Sequence, residues 1–420
     1  MSLPRRGPRP LPLHLTNAIA ALTSAKLGLP LWKSGWLPSK PALAQSVRAL
    51  AVELENHPPD RVQRAIDEEI RRRADAFLRG IERYRRHPWH RASIPRPVIW
   101  QKGSSRLIDY RPEGGPPLLV VPSLVNRGHI LDLVEGKSLL VALAAAGMRP
   151  LLIEWGEPGE AERGFTLTHY VIQRLEEAAM AAARLAGAPL SLFGYCMGGL
   201  LAVALAQRRP DLVRRLAFLA TPWDFQAVRS HEAKRLGHFG QNLAFLSTEG
   251  VVPVDVLQTW FAMLDPLLAL RKFTRFADLA QEGNDARDFV AVEDWLNDGV
   301  NLAVGVAREC LAGWYGENTP ARGSWCIAGE ATLPQRIRIP SLVVIPDQDR
   351  IVPPKSAEAL AVALPEARRV NPPLGHIGMI VGARAAEAVW QPLIEWFKGS
   401  QTGPSPLSKR TGVSSKRRVR

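Results

Sequence analysis

The chain has 420 residues, 46% of them hydrophobic, and a formal net charge of +14, which is the composition of a globular protein with one large core and an inserted subdomain, or of two domains. No run approaches the roughly 20 consecutive apolar residues that span a bilayer, and the three scattered cysteines Cys196, Cys310 and Cys326 fit neither a disulfide framework nor a zinc site. Such sparse cysteines point to a reducing compartment, so a cytoplasmic protein is expected.

The first nine residues carry Arg5, Arg6 and Arg9 among prolines and are expected to be unstructured. The following run, Leu11–Ala25, is interrupted by Pro12, His14, Thr16 and Asn17, too broken for a signal peptide. From Lys40 to Tyr84 apolar residues recur at three- and four-residue spacing, which predicts helix. Arg71–Arg73 beside Asp67, Glu68 and Glu69 reads as a solvated helix face, with phosphate binding as the sharper alternative. Residues 1–95 therefore form a mostly helical N-terminal segment.

From Pro116 short apolar runs alternate with helical ones. Strands are predicted over Pro117–Val121, Arg149–Trp155, Leu190–Gly194, Leu216–Ala220 and Ser341–Ile345. Helices are predicted over Ser138–Ala146, Leu167–Leu185, Gly198–Gln207, Lys355–Ala363 and Ala383–Phe397. Such alternation makes a mostly parallel sheet with helices on both faces. The core is assigned to residues 96–223 and 335–398, and the mostly helical, aromatic-rich stretch 224–334 reads as an inserted cap that shapes a pocket and excludes water. Residues 399–420, with Lys409, Arg410, Lys416, Arg417, Arg418 and Arg420 and no acid, read as a disordered basic tail. A nucleic-acid partner would rest on the two charged ends alone.

The run Gly194 to Gly198, G-Y-C-M-G, sits between a predicted strand and a predicted helix. That is a nucleophile elbow with cysteine at its centre, the mark of an α/β-hydrolase fold. Glycines flank Cys196 because a Cβ there would strike neighbouring backbone. The turn also sets Cys196 at a helix N-terminus, whose dipole favours a thiolate, and aims the Met197 amide at a developing oxyanion. Cys310 and Cys326 have no such setting and read as core.

In this fold the acid and then the histidine follow the nucleophile. Asp347 and Asp349, after the strand ending near Ile345, both qualify as the acid; Asp349, directly before R-I-V-P, is preferred. His376, flanked by glycines, is the sole histidine beyond His238 and is taken as the base. A second oxyanion donor is sought in Val121–Gly128, with the backbone N–H of Val125 preferred.

These motifs together resemble polyhydroxyalkanoate synthases, nearest the short type that works with a second subunit. Leu118–Leu133 resembles that family's oxyanion loop, I-E-W-G-E-P with F-T-L-T-H-Y (Ile153–Tyr170) a paired stretch, G-Y-C-M-G-G its modified lipase box, and W-L-N-D-G-V (Trp295–Val300) a cap motif. D-R-I-V-P and G-H-I-G resemble the segments carrying acid and base, and the coverage runs from about Ile99 to Trp396. Glu154 and His169 stand where that family is expected to have Asp.

The resemblance implies Cys196, Asp349 and His376 as the triad, 3-hydroxyacyl-CoA as the substrate, a polyester chain growing at a granule surface, and a homodimer with a possible second synthase subunit. It implies no metal or redox cofactor. The competing readings are a Cys-dependent hydrolase, either an intracellular polyhydroxyalkanoate depolymerase or an acyl-CoA thioesterase, and a granule-associated binding protein with a retired site. Because CoA carries phosphates, the mouth of the site is expected to be basic without help from the C-terminal tail.

Overall fold

The computed structural model describes residues 5, 7–28, 41–92, 94–228, 230–241, 243 and 247–399. The basic tail expected over 399–420 lies outside the described residues except for Gly399.

The centre is an eight-stranded sheet. Its strands are β1 (Val98–Lys102), β2 (Ser105–Asp109), β3 (Pro117–Val121), β4 (Arg149–Glu154), β5 (Leu190–Tyr195), β6 (Val213–Leu219), β7 (Ser341–Val344) and β8 (Ala367–Val370). They lie in the order β1-β2-β4-β3-β5-β6-β7-β8. The pairs β1–β2 and β2–β4 are antiparallel, and every pair from β4 to β8 is parallel. The hairpin β1–β2 and the edge strand β8 add to the elements expected from the sequence. Their residues, such as Arg106, Arg368 and Arg369, are partly exposed and lack the continuous apolar run of a central strand.

Why the central strands are apolar throughout is visible in where alternate residues go. Leu119, Val121, Leu192, Leu216 and Phe218 pack on one face of the sheet. Leu118, Val120, Phe193, Tyr195, Ala217 and Leu219 pack on the other. With side chains alternating across the pleat and both faces covered, neither set can be polar.

Between β6 and β7 the chain makes helices Ser230–Gln241, Val254–Leu264, Leu268–Phe276 and Asn284–Asn297 and a π-helical stretch Glu309–Glu317. This is the stretch read from the sequence as a cap. The N-terminal helices Leu11–Leu27, Pro41–Glu55 and Pro59–Arg86 precede the sheet. Phe77, Ile81 and Tyr84 share an apolar cluster with Phe273, Phe276 and Val290. The crossing is close: a Cβ on Gly80 would lie 1.9 Å from the carbonyl oxygen of Phe273. The exposed face of Pro59–Arg86 is ion-paired within itself, with Arg72 and Arg73 on Glu69 at 2.7 and 2.6 Å.

Two expectations need correction. The first nine residues are not all unstructured, since Arg5 pairs with Asp294 and Arg9 with Asp255 and Asn297 of the 224–334 stretch. The Arg5 guanidinium holds Asp294 through Nε–Oδ1 at 2.7 Å and Nη2–Oδ2 at 2.8 Å, with its side chain 7% exposed. Cys326 is not core. It is exposed, because the short strand Cys326–Ile327 turns Ile327 inward and therefore Cys326 outward. Among the described residues no helix is long and apolar enough to cross a membrane.

Candidate active site

The elbow forms where β5 delivers its last residue to the top of the sheet. Cys196 stands between β5 and the helix Met197–Arg208 with φ 53° and ψ −126°, a conformation that costs a non-glycine residue about 1–3 kcal/mol and persists only where its surroundings enforce it. Here they do. The Cys196 amide donates to the carbonyl of Leu219 on β6 at 2.9 Å, and its own carbonyl accepts from Gly199 at 2.9 Å. A Cβ on Gly194 would lie 2.5 Å from the Cα of Gly199, and one on Gly198 would lie 2.1 Å from the carbonyl oxygen of Val121. The strand and helix can therefore approach this closely only with glycine at both positions.

Asp349 and His376 come from the loops that follow β7 and β8 at the same edge of the sheet. His376 Nδ1 lies 2.7 Å from Asp349 Oδ2, and both side chains are buried. The other oxygen, Oδ1, accepts from the amides of Ile351 and Val352 at 2.8 and 2.9 Å. Asp347 is turned away, exposed, with Asn371 Nδ2 at 3.5 Å from its Oδ1. Burial alone would lower the proton affinity of His376. Charge on Cys196 and Asp349, with hydrogen bonds to both, outweighs it and raises the pKa to about 10. The three side chains thus converge, with the imidazole between thiol and carboxylate. Tyr195 was not singled out from the sequence, although it stands inside the elbow motif. Its ring stacks on the His376 ring, centroids 5.3 Å apart, and its hydroxyl donates to the His376 carbonyl at 3.5 Å.

The loop after β3 lies beside the elbow. Met197 and Val125 both line the cavity at Cys196. The Val125 N–H, expected as an oxyanion donor, here donates to Ser123 Oγ at 3.2 Å. The cap motif grips this loop: Trp295 Nε1 donates to the Arg127 carbonyl at 2.7 Å, Val300 N donates to the Val125 carbonyl at 3.1 Å, and Asn126 pairs with Gly299. Trp155, from the I-E-W-G-E-P stretch, donates its indole N–H to the Pro122 carbonyl at 3.1 Å. His169 accepts the Thr166 amide on Nδ1 at 3.1 Å, so it caps the helix end much as an Asp would. Glu154 pairs with Arg106 across the β2–β4 ladder.

Two chambers meet at Cys196. One is apolar, with Phe225, Leu257, Trp260, Leu311, Trp314 and Tyr315 of the 224–334 stretch in its wall and Cys310 among them. The other contains His376 and is the more polar of the two, its mainly apolar wall carrying Arg9, Arg127, Lys272 and Arg350 as well as Asp265 and Glu293. Pro8, Arg9 and His14 of the N-terminal segment belong to its wall. Sequence reasoning gave those residues no role, and no local signal marks them. Among the described residues no group of three His, Cys, Asp or Glu side chains is placed to hold a metal ion.

Residues 116–383 match a protein family described as alpha/beta hydrolase fold. The chain is also similar to curated proteins named poly(3-hydroxyalkanoate) polymerase subunit PhaC. It is 28% identical to that of Haloferax mediterranei over 74% of this chain and 65% of the relative. It is 29% identical to that of Allochromatium vinosum over 72% of this chain and 88% of the relative. For that of Synechocystis sp. the identity is 28%, over 73% of this chain and 85% of the relative. The chain thus spans just under two thirds of the Haloferax protein and most of the other two.

Proposed function

The chain belongs to the alpha/beta hydrolase fold family, and on that premise we propose that it is a polyhydroxyalkanoate synthase-like acyltransferase working through a Cys196–His376–Asp349 triad. The observation that carries this reading is the thiol at the junction of an apolar chamber and one that carries charged side chains, within hydrogen-bonding reach of a buried histidine–aspartate pair. The similarity to polymerase subunits over about three quarters of the chain supports it.

In the first step the Cys196 sulfur attacks the thioester carbonyl of a 3-hydroxyacyl-CoA. The carbon–sulfur bond to CoA breaks, and the departing CoA sulfur takes the proton held on His376. Backbone N–H groups of Met197 and Val125 face the transient oxyanion; for Val125 this requires Ser123 to release its amide. Exchange of one thioester for another is close to isoenergetic, so a thiol suits the loading step. In the second step the hydroxyl of another hydroxyacyl unit attacks the Cys196 thioester. His376 accepts the hydroxyl proton, an ester bond forms and the thiol is regenerated. Asp349 holds the imidazole in one tautomer and offsets its charge throughout. Neither step calls on a metal or redox group.

The apolar chamber suits the acyl chain, because phosphates cannot be left unpaired among aromatic side chains. A homodimer, a second synthase subunit and attachment to a polyester granule belong to this reading through the family resemblance alone. The decisive assay gives purified protein 3-hydroxybutyryl-CoA. CoA release with polymer is expected; release with only free 3-hydroxybutyrate would make the protein a hydrolase.

A further inference from the structure

We propose that Arg9 and His14, carried into the polar chamber by the N-terminal segment, form a binding subsite for the amide-and-phosphate arm of the acyl-thioester donor. The inference rests on the acyl-transfer reading and adds to it residues that lie far from every motif of the catalytic core.

The segment is fixed at several points. The Arg5 guanidinium engages Asp294 and also donates to the backbone carbonyls of His87 and Trp89. Asp294 is further held by the Tyr84 hydroxyl at 2.8 Å. Next along the chain, the Arg9 amide donates to Asn297 Oδ1 at 2.8 Å, its Nη1 to the Asn297 carbonyl at 3.2 Å and its Nε to Asp255 Oδ1 at 2.8 Å. These contacts use the backbone and two of the three guanidinium nitrogens. Among the described residues Nη2 makes no hydrogen bond, and the Arg9 side chain is 33% exposed.

His14 supplies a complementary group. Its Nε2 lies 3.1 Å from the Arg9 carbonyl, and a carbonyl only accepts, so that nitrogen carries the hydrogen. Nδ1 is then an acceptor, buried and without a partner among the described residues. Burial, together with the charge of Lys272, lowers the proton affinity of His14 against the opposing pull of the Arg9 carbonyl, which keeps the ring neutral. An acceptor nitrogen and a guanidinium in the wall of one chamber match an arm with amide N–H groups and phosphates. The chamber wall carries Arg9, Arg127, Lys272 and Arg350 with Asp265 and Glu293; each cation is paired with a carboxylate, Arg9 with Asp255, Arg127 with Asp298, Lys272 with Glu293 and Arg350 with Asp265, so a phosphate would share these cations with their acids.

The test compares 3-hydroxybutyryl-CoA with the N-acetylcysteamine thioester of the same acid, which keeps one amide and lacks phosphates. CoA binding to the full-length protein is measured alongside by titration calorimetry. Arg9→Gln is expected to raise KM and the CoA dissociation constant about five- to tenfold. It should leave kcat and the KM for the short thioester within about twofold, and Arg9→Lys should recover most of the loss. His14→Phe should raise KM for both donors, since both carry an amide. If Arg9→Gln shifts both donors equally, or neither, Arg9 is only a latch for the segment and the subsite is overturned. If the wild type releases thiol from neither donor, the acyl-transfer reading falls and calorimetry decides the subsite alone: Arg9-dependent CoA binding upholds it, and no binding overturns it.

Discussion

Asp349 divides its carboxylate between two tasks, one oxygen 2.7 Å from His376 Nδ1 and the other accepting the amides of Ile351 and Val352. The backbone bonds fix the carboxylate plane, and the plane fixes the imidazole. An asparagine there cannot satisfy both sides, because its NH₂ must face either the two amide donors or the ring nitrogen that carries a hydrogen. Asp349→Asn is therefore expected to lower kcat by about three to four orders of magnitude through loss of tautomer control. Asp347→Asn, which alters only an exposed contact with Asn371, should change it by less than about threefold. CoA release under saturating substrate ranks the two, and the opposite ranking would assign the acid to Asp347.

Cys196→Ala should abolish CoA release while leaving the far-ultraviolet circular dichroism unchanged. The elbow is held by its neighbours' backbone rather than by the thiol. Cys196→Ser should also be crippled, since a hydroxyl is far less acidic than a thiol. Turnover near the wild-type rate in Cys196→Ala would remove this residue from the chemistry.

The raised pKa of His376, to about 10, depends on charge at Cys196 before that at Asp349, working against burial. Cys196→Ala should therefore bring the His376 titration, followed by nuclear magnetic resonance of the ring, down by a unit or more. The folded-state value lies above the ordinary 6.5, so protonation of His376 stabilises the fold fully below that pH. The contribution fades as pH climbs through about 10. The stability advantage of the wild type over Cys196→Ala in urea should accordingly shrink as pH is raised from about 7 towards 10. An advantage constant over that window would contradict the charged pair.

Gly198→Ala should cost about 3 kcal/mol or more, because its Cβ would meet backbone oxygens of Val121 and Pro122 at 2.1 and 2.6 Å. Gly378, near His376, has open space at that position, and Gly378→Ala should stay within about 0.5 kcal/mol. Denaturant midpoints of the two variants measure the contrast.

Much of this site was legible because its determinants are local. G-Y-C-M-G names its own turn, and the order of nucleophile, acid and histidine limits where the partners sit. Even the choice of Asp349 over Asp347 follows from the run after it, since the amides of Ile351 and Val352 orient the carboxylate. Arg5 and Arg9 were illegible for the opposite reason. Arg5 meets Asp294 across 289 positions of sequence, and nothing in a proline-rich stretch announces a partner so distant. The hairpin Val98–Asp109 was missed because an edge strand need not be apolar on both faces.

The two ends of the chain should differ sharply on truncation. Removing residues 1–10 strips Arg5 from Asp294, a pair with side chains 7% and 29% exposed, and among the described residues leaves the carboxylate with the Tyr84 hydroxyl. Breaking such a pair from one side costs about 3 kcal/mol, because the remaining charge stays partly buried. The same deletion takes Arg9 from the polar chamber, so KM for acyl-CoA should rise together with the fall in melting temperature. Removing Ser400–Arg420 takes away six cations but none of those that line the chamber, which are supplied by Arg9, Arg127, Lys272 and Arg350. That deletion should leave KM within about a factor of three, roughly 0.6 kcal/mol, and the melting temperature unchanged. Its effect should appear instead in salt-sensitive binding to anionic surfaces, which weakens as ionic strength rises. A large rise in KM after C-terminal truncation, at unchanged stability, would assign part of the substrate's charge recognition to the tail and remove it from the chamber residues.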